Sequence, residues 1–436
     1  MQILVAGAGH GGLAAAGLLA QKGHDVTVFE RSPEYHLGYD WTDIFNMRCF
    51  GEAGIPLPQP GTYHHVPDFT FHNPACTASV TAVIPEGLSE MGIERRDLLR
   101  HLIQFARESG VALEFETSVE APLIENNRMV GLTVRNKTGP RALAADLVID
   151  AAGMDSNVRG QLLEAWGITK AFRRDQHFTV YRAFYNRTGA APLSEDPFNV
   201  YFYPLGRRAI AWVAREEGYV DMLCGSFGDT DPHYAEEVRQ SLLAYHPEFG
   251  DEVLRGGQIV KIPVRRPVSV MVADGYAAIG DSAGMTVPII GSGITNAIRA
   301  GRMLADTVLA AKGCSAAQLW PYQVEYMRKI GAVHACLDPL KTMMLSTGPE
   351  TIDFIFEKRI LDAADMTKAR TGQEVAFTLP QLALRGLRGA AHLPTMATMA
   401  GKLSASRKLK RHALCIPAVY GEDAVRAWAE VYDGIR

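Results

Sequence analysis

Residues 1–31 read MQILVAGAGHGGLAAAGLLAQKGHDVTVFER, and the fold is decided there. Residues 3–6 are an uncharged apolar run, as in a strand covered on both faces. Gly7, Gly9 and Gly12 follow in G-x-G-x-x-G spacing. Residues 13–21 are an Ala/Leu-rich helical stretch, residues 25–29 a second strand, and Glu30 closes the unit 18 residues past Gly12. Strand, glycine turn, helix, strand and acidic tip together form a dinucleotide-binding fingerprint. Gly7 permits the tight turn, Gly9 lets a pyrophosphate approach the backbone, and Gly12 lets helix and strand pack closely. The helix N-terminus offers N–H groups and a partial positive charge to the phosphates. Glu30 accepts hydrogen bonds from the ribose hydroxyls, and its charge repels a 2′-phosphate. The expected ligand is therefore FAD or NAD rather than NADP. Arg31, beside it, joins the expected cofactor-binding set.

Outward from this unit the composition is that of a soluble globular protein. Apolar residues are 47% and charged residues 21% of 436, a length that suits two or three domains. A net charge of −4 gives no reason to expect nucleic acid. Six cysteines (Cys49, Cys76, Cys224, Cys314, Cys336, Cys415) are scattered without a C-x-x-C. They point to a reducing compartment, and to neither a disulfide framework nor a zinc site. No apolar run reaches the roughly 18 to 20 residues of a membrane span, and the first strand starts too early to leave a signal peptide. The expected location is the cytoplasm.

Residues 32–92 read as irregular, rich in Pro, Gly, His and aromatics. His64, His65 and His72 lie there among Tyr63, Phe69 and Phe71, as part of a pocket or of a packed surface loop; no ordered ligand spacing makes them a metal site. Residues 94–109 carry Leu98, Leu99, Leu102, Ile103, Phe105 and Ala106 at helical spacing, and Gly110 ends that helix. A strand over 111–115 and a meander over 122–144 follow. Residues 172–268 change idiom to turn-separated strands plus one helix near 233–245, which predicts an inserted, mostly antiparallel sheet. Residues 276–279 and a long helix from about 293 return to the first idiom, and 315–436 read as mainly helical. Residues 402–412, KLSASRKLKRH, hold five Lys/Arg and no acid. Such a run is either one solvated helix face or a peripheral contact with a membrane surface or an acidic partner.

Three motifs now stand far apart: the N-terminal fingerprint, DAAGMDSNVR at 150–159, and GDSAGMTVPIIGSGI at 280–294. Together they resemble the flavoprotein family that includes the aromatic hydroxylases of the para-hydroxybenzoate hydroxylase type and the geranylgeranyl reductase and FixC types. The resemblance covers roughly residues 1–310. It implies an α/β chain with a Rossmann-like FAD-binding domain (1–170 and 269–315) and an inserted, mostly antiparallel β-sheet substrate domain (171–268); the helical C-terminal part (316–436) is read from the sequence pattern and carries no motif of the family. It also implies that Gly280-Asp281 binds the ribityl or pyrophosphate portion of FAD, that Arg95 (or its neighbour Arg96) contacts FAD, and that Pro288 and the loop Gly291–Ile294, with Gly293, face the isoalloxazine. The last placement has a physical reason: a helix starting near Gly293 aims its dipole where reduced flavin carries negative charge. One departure stands out. The family aspartate before Gly153 is here Ala152, which weighs against direct NAD(P)H-driven hydroxylation. Cys49 lies where some reductases of the family carry a cysteine near the flavin; an isolated, inert buried cysteine is the alternative.

Residues 200–212, VYFYPLGRRAIAW, and 262–267, IPVRRP, loosely resemble segments of the geranylgeranyl reductases. Tyr201, Tyr203 and Trp212 are candidates to line an apolar substrate pocket, or else core residues of a half-buried sheet. No catalytic side chain stands out by spacing. The first expected activity is hydride transfer from reduced FAD to a C=C bond of an unsaturated apolar molecule. Two alternatives remain: a flavin monooxygenase acting through a C4a-hydroperoxide, and a non-catalytic FAD-bound electron-transfer partner. The expected electron donor is NADH or NADPH acting transiently, or a ferredoxin. No second glycine fingerprint or redox cysteine pair supports the disulfide-reductase type.

Overall fold

The computed structural model describes residues 1–84, 90–189, 197–228 and 230–435. The chain opens with β1 (Gln2–Ala6), α1 (His10–Ala20), β2 (Asp25–Phe29), β3 (Thr42–Asn46), α2 (Arg48–Ala53), β4 (Tyr63–His65), β5 (Phe69–His72), β6 (Ser79–Ala82), β7 (Glu90–Glu94), α3 (Arg95–Glu108) and β8 (Ala112–Glu114). A meander of β9 (Ser118–Glu125), β10 (Arg128–Asn136) and β11 (Gly139–Ala144) leads to β12 (Leu147–Asp150) and the single turn α4 (Asn157–Gly160). Then come β13 (His177–Arg187), β14 (Phe198–Phe202), β15 (Ala209–Arg215), β16 (Tyr219–Ser226), α5 (Pro232–Leu242) and β17 (Phe249–Pro263). The chain returns through β18 (Val272–Ala273), β19 (Tyr276–Ala278) and α6 (Ile294–Ala310). It finishes with α7 (Ala316–Tyr326), α8 (Ala332–Ser346), α9 (Pro349–Glu357), α10 (Ala363–Arg370), α11 (Leu379–Arg388), α12 (Leu393–Leu414) and α13 (Glu422–Gly434).

The nucleotide-type sheet runs β18-β19-β12-β1-β2-β8, with β1 parallel to β2 and β12, and β12 parallel to β19. Ile3, Leu147 and their neighbours are fully buried because layers cover both faces: α1, α3 and α6 on one, the meander on the other. Close helix packing explains Gly17, where a Cβ would fall 2.4 Å from the Phe105 ring, and Gly301, where it would meet Ala14 at 2.9 Å. The chain enters the insertion from β12 and returns from it through β18 to β19, which pairs with β12 so that Asp150 lies beside Ala278.

The second sheet has seven strands, β17-β13-β16-β15-β14-β5-β6, antiparallel except for the β14/β5 pair. It differs from the sequence reading in two ways. The stretch 32–92 is not irregular: it supplies β3 to β7, and β5 and β6 extend this sheet (85–89 lie outside the described residues). These strands are three to five residues long, too short for alternation to register. The 15-residue β17 was also not expected; Gly256 and Gly257, at φ +81° and +72°, bend it in mid-strand. One face of the sheet packs under α5 through Ala211, Val213 and Tyr234. The other carries Phe198, Val200 and Phe202 against Met343, Ile352, Phe356 and Met399 of the C-terminal helices.

Candidate active site

A cavity of about 620 Å³ opens where β1, β2 and β12 end and α6 begins. At one end are Gly7, Gly9 and Gly12. Gly7 has φ +92°, and a Cβ there would lie 2.7 Å from the Ala151 carbonyl oxygen. A Cβ on Gly12 would lie 2.6 Å from that of Ala151. Gly9 precedes α1 without any side-chain cap, so the first turn's N–H groups face the cavity. Glu30 sits at the tip of β2, held by the Ala8 N–H (3.1 Å) and the Ser32 N–H (2.9 Å). Each carboxylate oxygen keeps acceptor capacity for a ribose hydroxyl. Arg31 also lines this end.

The opposite end is built by Gly280, Asp281, Thr286, Gly291, Gly293 and Ile294. Gly293 begins α6 uncapped by any side chain, and a Cβ there would strike the Thr286 methyl at 2.9 Å. Burial raises the pKa of Asp281, against the pull of Arg95 and Arg159. Arg95 lines the cavity and is clamped by Asp43 through two bonds of 2.7 and 2.6 Å. Its guanidinium lies 4.9 Å from the Tyr39 ring and 5.3 Å from Trp41. Arg96 points elsewhere, toward Asp40. Pro288 departs from the expectation: it is buried in its loop and is not among the cavity-lining residues.

Several contributors carried no signal in the sequence. His10, the first residue of α1, lines the cavity with its Nε2 sealed from solvent and without a hydrogen-bond partner. Burial, reinforced by Arg95, pushes its pKa down to about 4, so the ring is neutral at ordinary pH. Trp41 and Asp43 belong to a stretch that read as irregular. Asp150 replaces nothing at position 152 but has its own task. Fully buried at the end of β12, it accepts from Ser156 Oγ (2.7 Å), Tyr276 Oη (2.9 Å), Ser282 Oγ (3.0 Å) and the Ala152 N–H (3.1 Å). It thereby joins the second and third motifs. Arg159 adds a bond to the Ser282 carbonyl at 2.8 Å.

The aromatic trio is divided. Tyr201 is on the α5 face, donating or accepting at 2.7 Å with His246 and stacking on His72 at 4.8 Å. Trp212 is on the opposite face, beside Phe198 and 5.1 Å from the Arg182 guanidinium, which lies 5.5 Å from Trp41. Tyr203 lies on the Trp212 side, its hydroxyl accepting from the Gly348 N–H. Strand alternation sends 201 and 212 to opposite faces, so the three cannot share one pocket. Cys49 is fully buried in α2, its thiol pushed up to about 12 by burial, and is not among the cavity-lining residues. His64 is in the β3-β7-β4 sheet and His72 in the seven-stranded one. Among the described residues no His/Cys/Asp/Glu cluster is suited to a metal ion.

This cleft fits FAD: glycines leave room that a Cβ would fill, the acid Glu30 stands at one end, and two helix N-termini without side-chain caps face inward. Residues 1–318 match the family model described as FAD binding domain, and the chain belongs to that family. It is an FAD-dependent oxidoreductase. Among curated relatives it is similar to the digeranylgeranylglycerophospholipid reductase of Sulfolobus acidocaldarius, 21% identical over 99% of this chain and 96% of that one. The reductase of the same name from Methanoculleus marisnigri is 26% identical over 76% of this chain and 83% of its own length. Among solved structures, a geranylgeranyl bacteriochlorophyll reductase-like protein of Thermoplasma acidophilum aligns with TM-score 0.72 at 18% identity, covering 92% of this chain and 98% of that one. A probable FAD-dependent monooxygenase of Pseudomonas aeruginosa aligns at 0.55 and 21%, over 82% and 97%.

Proposed function

We propose that this chain reduces a C=C bond of an unsaturated, apolar, lipid-like molecule. The observation that carries the reading is the chamber next to the flavin cleft. Ile289, Leu340, Met343, Met344, Met366, Val375, Phe377 and Met399 line an apolar pocket between the Gly291 loop and the C-terminal helices. Its side chains nearly fill it, leaving about 30 Å³. Four methionines make that filling adaptable, because an unbranched thioether changes rotamer at little cost and makes room for an apolar chain. Asp365, the one acid in the wall, is matched by Arg385 at 2.6 Å. The names of the relatives point the same way, at low identity.

Reduced FAD supplies the hydride, and the protein's part is placement and electrostatics. The uncapped start of α6 stabilises negative charge at the flavin end of the cleft. Arg182, held by Asp221 and by the Thr42 carbonyl (2.6 Å), stands between Trp41 and Trp212 and rigidifies the boundary between cleft and sheet. The electron donor, a nicotinamide or a ferredoxin-like protein, is tested separately, by anaerobic reduction of the bound flavin with each. The test is anaerobic incubation of dithionite-reduced holoenzyme with a polyunsaturated isoprenoid lipid. Mass spectrometry should read a gain of two hydrogens per bond, with reoxidation of the flavin. In a parallel incubation under labelled O₂, substrate-dependent oxygen incorporation without saturation would replace this reading with a monooxygenase.

A further inference from the structure

Helix α11 is built inside out. Its buried cation, Arg385, is 6% exposed and bonds Asp362 (2.9 Å) and Asp365 (2.6 Å) beneath the helix. Three of its four leucines face away: Leu379 is 82% exposed, Leu387 77% and Leu384 48%. At 100° per residue, Leu379, Ala383, Leu387 and Leu384 fall on one continuous outer face. A helix resting in water has the opposite arrangement, as α3 does with its buried leucines. The apolar outer face continues across the corner into α12, where Leu393 is 70% exposed and Ala397 and Ala400 follow at helical spacing. The corner is tight, since a Cβ on Gly389 would fall 2.2 Å from the Met396 sulfur.

Charge identifies what covers this face. From residue 375 to 421 there is no Asp or Glu, against seven Lys/Arg, in a chain whose net charge is −4. The exposed side of α12 passes from Leu393, Ala397 and Ala400 to Arg407, Lys408 and Arg411, all exposed. An apolar tip edged by cations is complementary to a lipid surface with anionic headgroups. A second copy related by a two-fold axis would instead bring this acid-free segment against itself. No described helix is long and apolar enough to cross a membrane, so the contact is peripheral.

We propose that the outer face of α11 and the first half of α12 dock on an anionic bilayer, with the basic second half of α12 resting on the headgroups. The proposal concerns attachment and not chemistry, so the redox assay and this test fail independently. Holoenzyme is floated with phosphatidylcholine vesicles, with and without phosphatidylglycerol. Wild type should bind the anionic vesicles about a hundredfold more tightly than the neutral ones, as expected for three headgroup contacts. Leu379→Glu/Leu387→Glu should lose about tenfold or more of that binding, and Lys408→Glu/Arg411→Glu should lose the anionic preference. These positions are exposed, so circular dichroism and flavin content should stay at wild-type values. Equal binding by wild type and both variants, or no flotation at all, overturns the proposal. So does a wild-type dimer that Leu387→Glu dissociates while no vesicles are bound.

Discussion

The flavin cleft and the apolar chamber beside it are built by opposite means. The cleft is made of backbone. Its shape depends on glycines whose missing Cβ atoms leave the space, on two helix N-termini, and on a few fixed charges. The chamber is made of side chains from five C-terminal segments and the Ile289 loop, four of them methionines. Backbone sites tolerate almost no change and hold one ligand. Side-chain sites bend, and accept related molecules.

Substitutions sharpen this contrast. Gly12→Val places methyl groups where Ala151 and Val5 already lie, at 2.6 and 3.2 Å from the first added carbon; flavin absorbance should vanish from the purified protein. Arg95→Ala leaves Asp43 buried without its cation, which costs about 3 kcal/mol in urea unfolding. Glu30→Gln keeps the shape and removes the charge, so FAD affinity by titration calorimetry should drop about tenfold. Acid acts on buried histidines, of which His10 lines the cleft. His10, His246 and His334 have pKa values pushed down from 6.5 to about 4, 3 and 3, chiefly by burial. The unfolded chain therefore takes up these protons first. Their share of stability is intact above about pH 6.5 and lost as pH falls toward 4 for His10 and toward 3 for His246 and His334, and calorimetric Tm should fall over that window. FAD release on the way down should be weaker in His10→Gln and unchanged in His246→Gln. Smallest of all, Met343→Leu should cost less than about 1.5 kcal/mol in stability. If it also leaves the range of chain lengths reduced unchanged, methionine adaptability is not what the chamber uses.

The same contrast explains what was legible in the sequence. Gly7, Gly9, Gly12, Glu30, Gly280, Asp281 and Gly293 announce themselves because a backbone site needs particular residues at fixed local spacing. Asp43, clamping Arg95 from 52 positions away, leaves no local trace. Neither does the chamber, whose methionines look like any core. The aromatic stretch 200–212 groups Tyr201 with Trp212; only the β14/β15 register, pairing Tyr201 with Ala211 and Trp212 with Val200, separates them. The strands within 32–92 leave little trace because three to five residues do not establish a period, and β5 finds its partner β14 more than a hundred residues downstream.

The knot of bonds at Asp150 has a consequence in time. Its partners Tyr276 and Ser282 follow it by 126 and 132 residues, and Gly293 comes later still. A ribosome has made the glycine turn within the first thirty residues, yet the cleft has no second wall until the whole inserted sheet has emerged. Flavin loading is thus a late event in the birth of this chain. An intermediate arrested in the insertion would be colourless, and the appearance of flavin absorbance would date the closing of β19 against β12.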